Sequence, residues 1–269
     1  MRKKVLFRWL KIIIILYCGI GISLYYLQEQ FLFHPVKLGP GYHYQFSVPF
    51  REVNIPVNAT DTLNMIQFLP ADSLHRGVVL YYHGNMENIN HYAGFARFFT
   101  SRGYEVWMED YPGFGKSTGT ITEQKLYDQA KQVYKMANAR YPKEHIIVYG
   151  KSFGTGIAAY VASMMDCRRL ILETPYYSIP SLYSCYAPVY PTARMASFKI
   201  PTYRFVEETS CPVTIFHGTS DGVVPYRCAA KLKSVLKTGD EFITIPGGNH
   251  QNLAGYPVYE KKIDSLLAF

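Results

Sequence analysis

The chain reads as an α/β protein with a mostly parallel sheet, an N-terminal antiparallel hairpin, helices on both faces and a small cap insertion. Three observations predict this. Short apolar runs bounded by Gly, Pro or charge alternate with stretches of helical period along the body, the pattern of buried parallel strands linked by covering helices. Two alternating segments near the start are joined by a turn sequence, as in a hairpin. A stretch dense in Pro and aromatic residues interrupts the alternation late in the chain.

The first thirty residues stand apart from the body. Arg2, Lys3, Lys4, Arg8 and Lys11 precede an apolar run from Ile12 to Leu27, after which come Gln28 and Glu29. At 1.5 Å per residue that run spans roughly 24 Å, and Val5 to Leu10 extend it while Arg8 and Lys11 snorkel. Trp9, Tyr25 and Tyr26 fall where interfacial aromatics would. Tyr25 to Glu29 offer no small-x-small cleavage site, so residues 1–30 are expected to be an uncleaved membrane anchor rather than a removed signal peptide. Tyr17 before Cys18 argues against lipid attachment there. The basic flank predicts a cytoplasmic N-terminus, a single pass and a body, residues 31–269, on the extracytoplasmic side.

Those five basic residues account for most of the formal net charge of +8. The rest of the 269-residue chain has no basic stripe with interleaved aromatics, so nucleic acid is not an expected partner. Cys18, Cys167, Cys185, Cys211 and Cys228 are widely spaced without a C-x-x-C pair, so neither zinc nor a thioredoxin-like site is indicated. Most read as buried free thiols, with a disulfide among the last four left open.

In the body, Phe50 to Val57 and Thr62 to Leu69 alternate across Asn58-Ala59-Thr60-Asp61, and form the expected hairpin. Asn58-Ala59-Thr60 is also a glycosylation triplet. Gly77 to Tyr82, Tyr104 to Met108, His145 to Tyr149, Leu170 to Leu172, Val213 to Phe216 and Phe242 to Ile245 predict six buried parallel strands. Helices are expected over Asn88 to Ser101 and Glu123 to Ala139. The second has a capping-box start at Thr120-Ile121-Thr122-Glu123, an apolar face of Leu126, Ala130, Val133, Tyr134 and Ala137, and an end before Pro142. The Pro- and Tyr-rich stretch from Pro175 to Cys211 is too long for a structureless loop, so a cap with short helices is expected at about 176–210.

The chemistry-bearing residues cluster at strand ends. Gly150-Lys151-Ser152-Phe153-Gly154 fits G-x-S-x-G between the strand ending at Tyr149 and an apolar helix over Thr155 to Met165. Small flanking residues let the backbone turn sharply enough to expose the serine hydroxyl. A serine is a weak nucleophile unless a histidine takes its proton and a carboxylate holds that histidine. Asp221, in Gly218-Thr219-Ser220-Asp221-Gly222, and His250, in Pro246-Gly247-Gly248-Asn249-His250, both follow strands, where loops of an open α/β sheet meet the site. Glu173 also ends a strand and is the rival carboxylate, whereas Asp240 precedes one. His34, His43, His75 and His91 lack strand-end positions, and His83 and His217 before glycines read as structural. Backbone donors for an oxyanion are expected from Phe153 and from the loop His83-Gly84-Asn85-Met86, with Asn85 ahead of Met86. Gly115-Lys116-Ser117 and Gly150-Lys151-Ser152 are not phosphate loops, because Asp110 and His145 stand where the leading glycine is required. Asp110 to Gly115 is instead expected as a tight loop beside the active site.

His83-Gly84-Asn85, Asp110 to Ser117, Gly150 to Gly154, Asp221 and His250 together resemble the α/β-hydrolase superfamily over roughly residues 50 to 269. The order Ser152, Asp221, His250 agrees with it. The anchor, Phe33-His34-Pro35 and His83-Gly84-Asn85 are similar to its membrane-associated bud-emergence-type branch. The resemblance implies a serine hydrolase of the carboxylesterase, thioesterase or lipase kind, acting on a small-molecule or lipid acyl substrate with no metal or organic cofactor. A peptidase and a catalytically silent tethered binding module are the alternatives.

Overall fold

The computed structural model describes residues 2–70 and 75–268, so Met1 and Phe269, the outermost residues of the expected anchor and body, lie outside the described residues. Among these, eight strands form one sheet: β1 (Phe50–Pro56), β2 (Thr62–Phe68), β3 (Gly77–Tyr82), β4 (Tyr104–Glu109), β5 (Ile146–Lys151), β6 (Arg169–Glu173), β7 (Val213–Gly218) and β8 (Glu241–Ile245). Their spatial order is β8-β7-β6-β5-β3-β4-β2-β1. The six expected parallel strands run from β8 to β4, and β2 joins β4 antiparallel, with Met65 opposite Glu109. β1 and β2 form the hairpin, each ending one residue earlier than its alternation suggested. Asn58 shapes the turn, because its side-chain oxygen accepts from the amides of Thr60 and Asp61 at 2.9 and 2.8 Å, an Asx turn.

The ten described helices are α1 (Arg2–Leu32), α2 (Ile89–Tyr92), α3 (Ala96–Thr100), α4 (Glu123–Asn138), α5 (Gly154–Met164), α6 (Ile179–Tyr186), α7 (Thr192–Met195), α8 (Thr202–Glu208), α9 (Tyr226–Ala229) and α10 (Pro257–Leu267). The single helix expected over Asn88 to Ser101 is broken: a 3-10 turn over Ala93–Phe95 separates α2 from α3, where Gly94 weakens the helical preference. Helix α4 starts at Glu123 as expected, but its cap is corrected. Its cap is Thr122, whose hydroxyl accepts from the Lys125 amide at 3.2 Å, and not the Thr120 capping box. The expected apolar face of α4 is buried.

Two apolar layers sandwich the sheet. One contains α4, α5 and the face of β3 and β5 carrying Val78, Leu80, Ile146 and Val148. The other contains α3, α10 and the opposite face with Val79, Tyr81, Ile147 and Tyr149. This is the period of two expected of strands buried on both faces. Helices α6, α7 and α8 make up the stretch from 176 to 210 that the sequence marks as a cap. Cys185 of α6 and Cys228 of α9 form a disulfide, which corrects the reading of mostly buried free thiols; Cys18 is free and exposed, and the sulfurs of Cys167 and Cys211 lie 3.0 Å apart. Helix α1 runs two residues past the expected anchor. Its end is packed on the body, with Leu32 and Phe33 buried.

Candidate active site

The C-terminal ends of β3, β5, β7 and β8 converge on one edge of the sheet. β5 turns directly into α5 across Ser152, whose φ of +52° lies in the left-handed region. For a non-glycine residue this conformation costs on the order of 1–2 kcal/mol. The turn is held by the Ser152 amide donating to the Glu173 carbonyl at 2.9 Å and by Thr155 donating to the Ser152 carbonyl. Glycines on either side make the packing possible. A Cβ on Gly150 would stand 2.6 Å from Thr155 Cα, and one on Gly154 2.1 Å from the Tyr82 carbonyl oxygen. Helix α5 therefore begins in backbone contact with the end of β3, which only glycine permits.

His250, after β8, bridges Ser152 and Asp221. The Ser152 hydroxyl donates to His250 Nε2 at 2.9 Å, and His250 Nδ1–H donates to Asp221 Oδ2 at 2.8 Å; this tautomer is the one that satisfies both contacts. Asp221 is fixed from its other side, because Oδ1 accepts from the amides of Val223 and Val224, both at 2.8 Å. Burial would raise the Asp221 pKa, but the hydrogen bond and charge of His250, the Val224 amide and His217 outweigh it and hold the carboxyl below its ordinary value. All three side chains are largely shielded from solvent. The structure thus brings together three residues separated by up to 98 positions.

Glu173, the rival carboxylate, is engaged elsewhere. It ends β6 opposite Lys151 in register, and its carboxylate pairs with the Lys151 ammonium and accepts from the hydroxyls of Tyr149 and Tyr259. Burial again acts to raise its pKa, but Lys151 and the two tyrosines bring it below the ordinary value. This buried ion pair lies directly before Ser152 in the chain, and the Glu173 carbonyl accepts from the Ser152 amide. Sequence reasoning missed it, although two charged residues ending neighbouring buried strands were the available signal. His217 is buried beside Asp221, with Nε2–H donating to the Val224 carbonyl at 2.9 Å. Its pKa is lowered, first by burial. His83 donates from Nδ1 to the Gly84 carbonyl at 2.6 Å, and its ring lies between Tyr92 and Tyr111.

At the end of β3, the Asn85 side chain donates to the Leu32 carbonyl and the Asn85 backbone carbonyl accepts from the His34 amide at 3.0 Å. The Met86 amide donates to the Tyr92 hydroxyl at 3.4 Å. Phe153 occupies the N-cap of α5, whose first amides have no partner within the helix. Its carbonyl accepts from Tyr176 at 3.0 Å. The Asp110 to Gly115 loop lies alongside: Tyr111 packs on Phe153 with ring centroids 5.8 Å apart, and Asp110 accepts from the Ile89 amide at 2.9 Å. Among the described residues no group of three or more His, Cys, Asp or Glu is arranged to hold a metal ion.

The family model described as serine aminopeptidase, S33, matches residues 73–210, just over half of the chain. Among curated proteins, the chain is 28% identical over 166 residues to alpha/beta hydrolase domain-containing protein aho-3 of Caenorhabditis elegans, covering 60% of this chain and 48% of that protein. It is 25% identical over 220 residues to alpha/beta hydrolase domain-containing protein 17C of Homo sapiens, covering 81% and 66%. The aligned parts span about half to two thirds of those relatives. Among solved structures, the esterase Pf2001 of Pyrococcus furiosus superposes with a TM-score of 0.67 at 18% identity, over 87% of this chain and 98% of that one, a likeness of fold. The eight-stranded sheet and these matches together show that the chain is a member of the α/β-hydrolase superfamily, belonging to the family that the serine aminopeptidase S33 model describes.

Proposed function

We propose that this chain is a membrane-tethered serine hydrolase that cleaves an acyl ester or thioester through an acyl-enzyme. The observation that carries the reading is the hydrogen-bonded line from Ser152 through His250 to Asp221. In it, His250 Nε2 takes the hydroxyl proton as Ser152 Oγ attacks the acyl carbon, and Asp221 stabilises the imidazolium. The proton then passes from Nε2 to the leaving group, and a water activated by the same nitrogen releases the acid. The tetrahedral oxyanion is received by the backbone amides of Phe153 and Asn85. Asn85 is preferred to Met86, since the Met86 amide already faces Tyr92. Metal and cofactor have no role in these steps.

The tether is residues 1–30, with a cytoplasmic N-terminus; residues 31–269, including the cap at about 176–210, are the catalytic domain on the opposite side. The support is the helix over Lys3–Leu32, long and apolar enough to cross a membrane, and the basic residues confined to its first third. An active-site fluorophosphonate is expected to label Ser152 in the folded chain. Absence of labelling, or undiminished labelling of Ser152→Ala, overturns the assignment. The family model's description favours one second reading, a serine peptidase. A panel of acyl esters, thioesters and aminoacyl amides discriminates: Ser152-dependent turnover of the amides over the esters supports the peptidase.

A further inference from the structure

Helix α1 leads into the body without a linker. The Phe33 amide donates to the Glu29 carbonyl at 2.8 Å, which carries the helical pattern one residue past Leu32. The last turns are fixed to the cap, where Gln28 donates to the Met195 carbonyl at 3.0 Å and accepts from the Ser197 amide at 2.7 Å. From there the chain runs straight onto the loop after β3, with His34 and Pro35 paired in parallel with Met86 and Glu87. It continues to the loop after β4: the Gly115 amide donates to the Val36 carbonyl at 3.1 Å, and the Leu38 amide to the Gly115 carbonyl at 2.8 Å. Residues 32–38 thus form a strap that ties the end of α1 to two loops of the candidate active site.

The strap grips Asn85 at two points. The Asn85 side chain donates to the Leu32 carbonyl, and the Asn85 backbone carbonyl accepts from the His34 amide at 3.0 Å. Two residues on, the Glu87 carbonyl accepts from the Val36 amide at 3.0 Å, and the Asn88 side chain donates to the Val36 carbonyl at 2.9 Å. Glu87 has a φ of +54°, a left-handed conformation that a non-glycine residue keeps only where its surroundings fix it. From the body the same loop receives the Tyr92 hydroxyl, 3.4 Å from the Met86 amide, and His91, 3.1 Å from the Glu87 carboxylate. The first of these is long for a hydrogen bond and the second is exposed to solvent, where an ion pair contributes little. The short contacts to the loop's carbonyls come from the strap.

Between Leu32 and His34, Phe33 is buried. Its ring meets Phe153 edge-on with centroids 5.1 Å apart, Phe198 of the cap at 4.9 Å and Phe114 of the Asp110 to Gly115 loop at 6.4 Å. One short segment therefore touches both residues whose amides would receive the oxyanion, Asn85 through hydrogen bonds and Phe153 through its ring. Such donors act when they lie about 2.7–3.1 Å from the oxyanion, and a displacement of about 0.5 Å is enough to spoil that geometry. The ground-state carbonyl demands less of them, so a shifted donor lowers kcat more than it raises KM.

We infer that Leu32, Phe33 and His34 are positioning residues for the oxyanion site, holding the Asn85 and Phe153 amides in place from the end of α1. The inference rests on the serine-hydrolase reading, and the experiment separates the two. The full chain in phosphatidylcholine vesicles is assayed with p-nitrophenyl butyrate as wild type, Phe33→Ala, Phe33→Leu, Asn85→Ala, the double variant of the two alanine changes, and Ser152→Ala. Reactive Ser152 is counted by exhaustive fluorophosphonate labelling, so that kcat is expressed per competent site and unfolded protein drops out. Outright loss of one oxyanion donor costs about 10²–10³ in kcat. Misplacement should cost Phe33→Ala and Asn85→Ala about ten- to a hundred-fold each, with KM within about three-fold of wild type. The affinity of a trifluoromethyl ketone, whose adduct with Ser152 places an oxyanion in the same spot, should fall by the same factor as kcat. Phe33→Leu, which keeps most of the apolar volume, should recover most of the loss, and the double variant should lose little more than the worse single one. A wild-type kcat per labelled site in either folded alanine variant overturns the strap, as does a loss carried by KM alone or full additivity in the double variant. Where Phe33→Ala fails to fold, Asn85→Ala decides, since Asn85 is only half-buried. A wild type with no Ser152-dependent turnover overturns the hydrolase reading instead.

Discussion

Glu109→Gln should stabilise this protein at alkaline pH and leave it nearly unchanged in mild acid. Glu109 ends β4, is buried, and both its carboxyl oxygens lack a hydrogen-bond partner among the described residues. Burial, reinforced by the neighbouring Asp110, pushes its pKa from an ordinary 4.5 up to about 8. The native state therefore keeps a proton that the unfolded chain gives up above pH 4.5. With more protons bound in the native state, stability falls as pH rises. The loss begins near the unfolded value and is complete once pH passes the folded one. The gap between the two values, at about 1.4 kcal/mol per pH unit, amounts to on the order of 5 kcal/mol. Glutamine has the same shape and no charge, so Glu109→Gln avoids the loss. The assay is urea unfolding of both proteins at several values between about pH 5 and 8.5, followed by the fluorescence of Trp107, buried two residues away on β4, after subtracting a control lacking Trp9. The two stability curves should diverge by several kcal/mol across that window. Curves that stay parallel within about 0.5 kcal/mol would refute a protonated native Glu109, as would the absence of a carboxylic-acid infrared band that disappears in the variant.

Other expectations follow from the same geometry. Asp221→Asn, which keeps the shape but removes the charge that holds the His250 tautomer, should lower kcat about 10⁴-fold in an ester assay while leaving the unfolding midpoint close to wild type. Lys151→Met strands a buried carboxylate and should cost roughly 3–5 kcal/mol in denaturant unfolding, whereas Lys151→Met with Glu173→Leu should recover most of that loss. Cys185→Ser opens a disulfide spanning 43 positions; it should cost about 2–4 kcal/mol, read as a lower Tm, and reducing agent should have the same effect on the wild type and none on the variant.

What the sequence by itself determined is what short-range periodicity carries. An apolar run bounded by breakers specifies a strand wherever it pairs, so the six parallel strands, the hairpin and α4 with its buried face were legible. The same holds for the strand-turn-helix at Ser152, because the need for glycines beside a strained serine is local. Asp221 and His250 were legible as candidates because being at a strand's end is a property of the linear chain. Choosing between Asp221 and Glu173 was a different matter. Glu173 ends β6 and Asp221 follows the end of the neighbouring β7, and only the assembled sheet turns one carboxylate to His250 and the other to Lys151. Tertiary structure alone also decided the strand order, the pairing of Cys185 with Cys228, the seating of α1 on the cap and the isolation of Glu109. Each depends on contacts between residues far apart in the chain, which depend on how the layers pack and leave no trace in the period of any single segment.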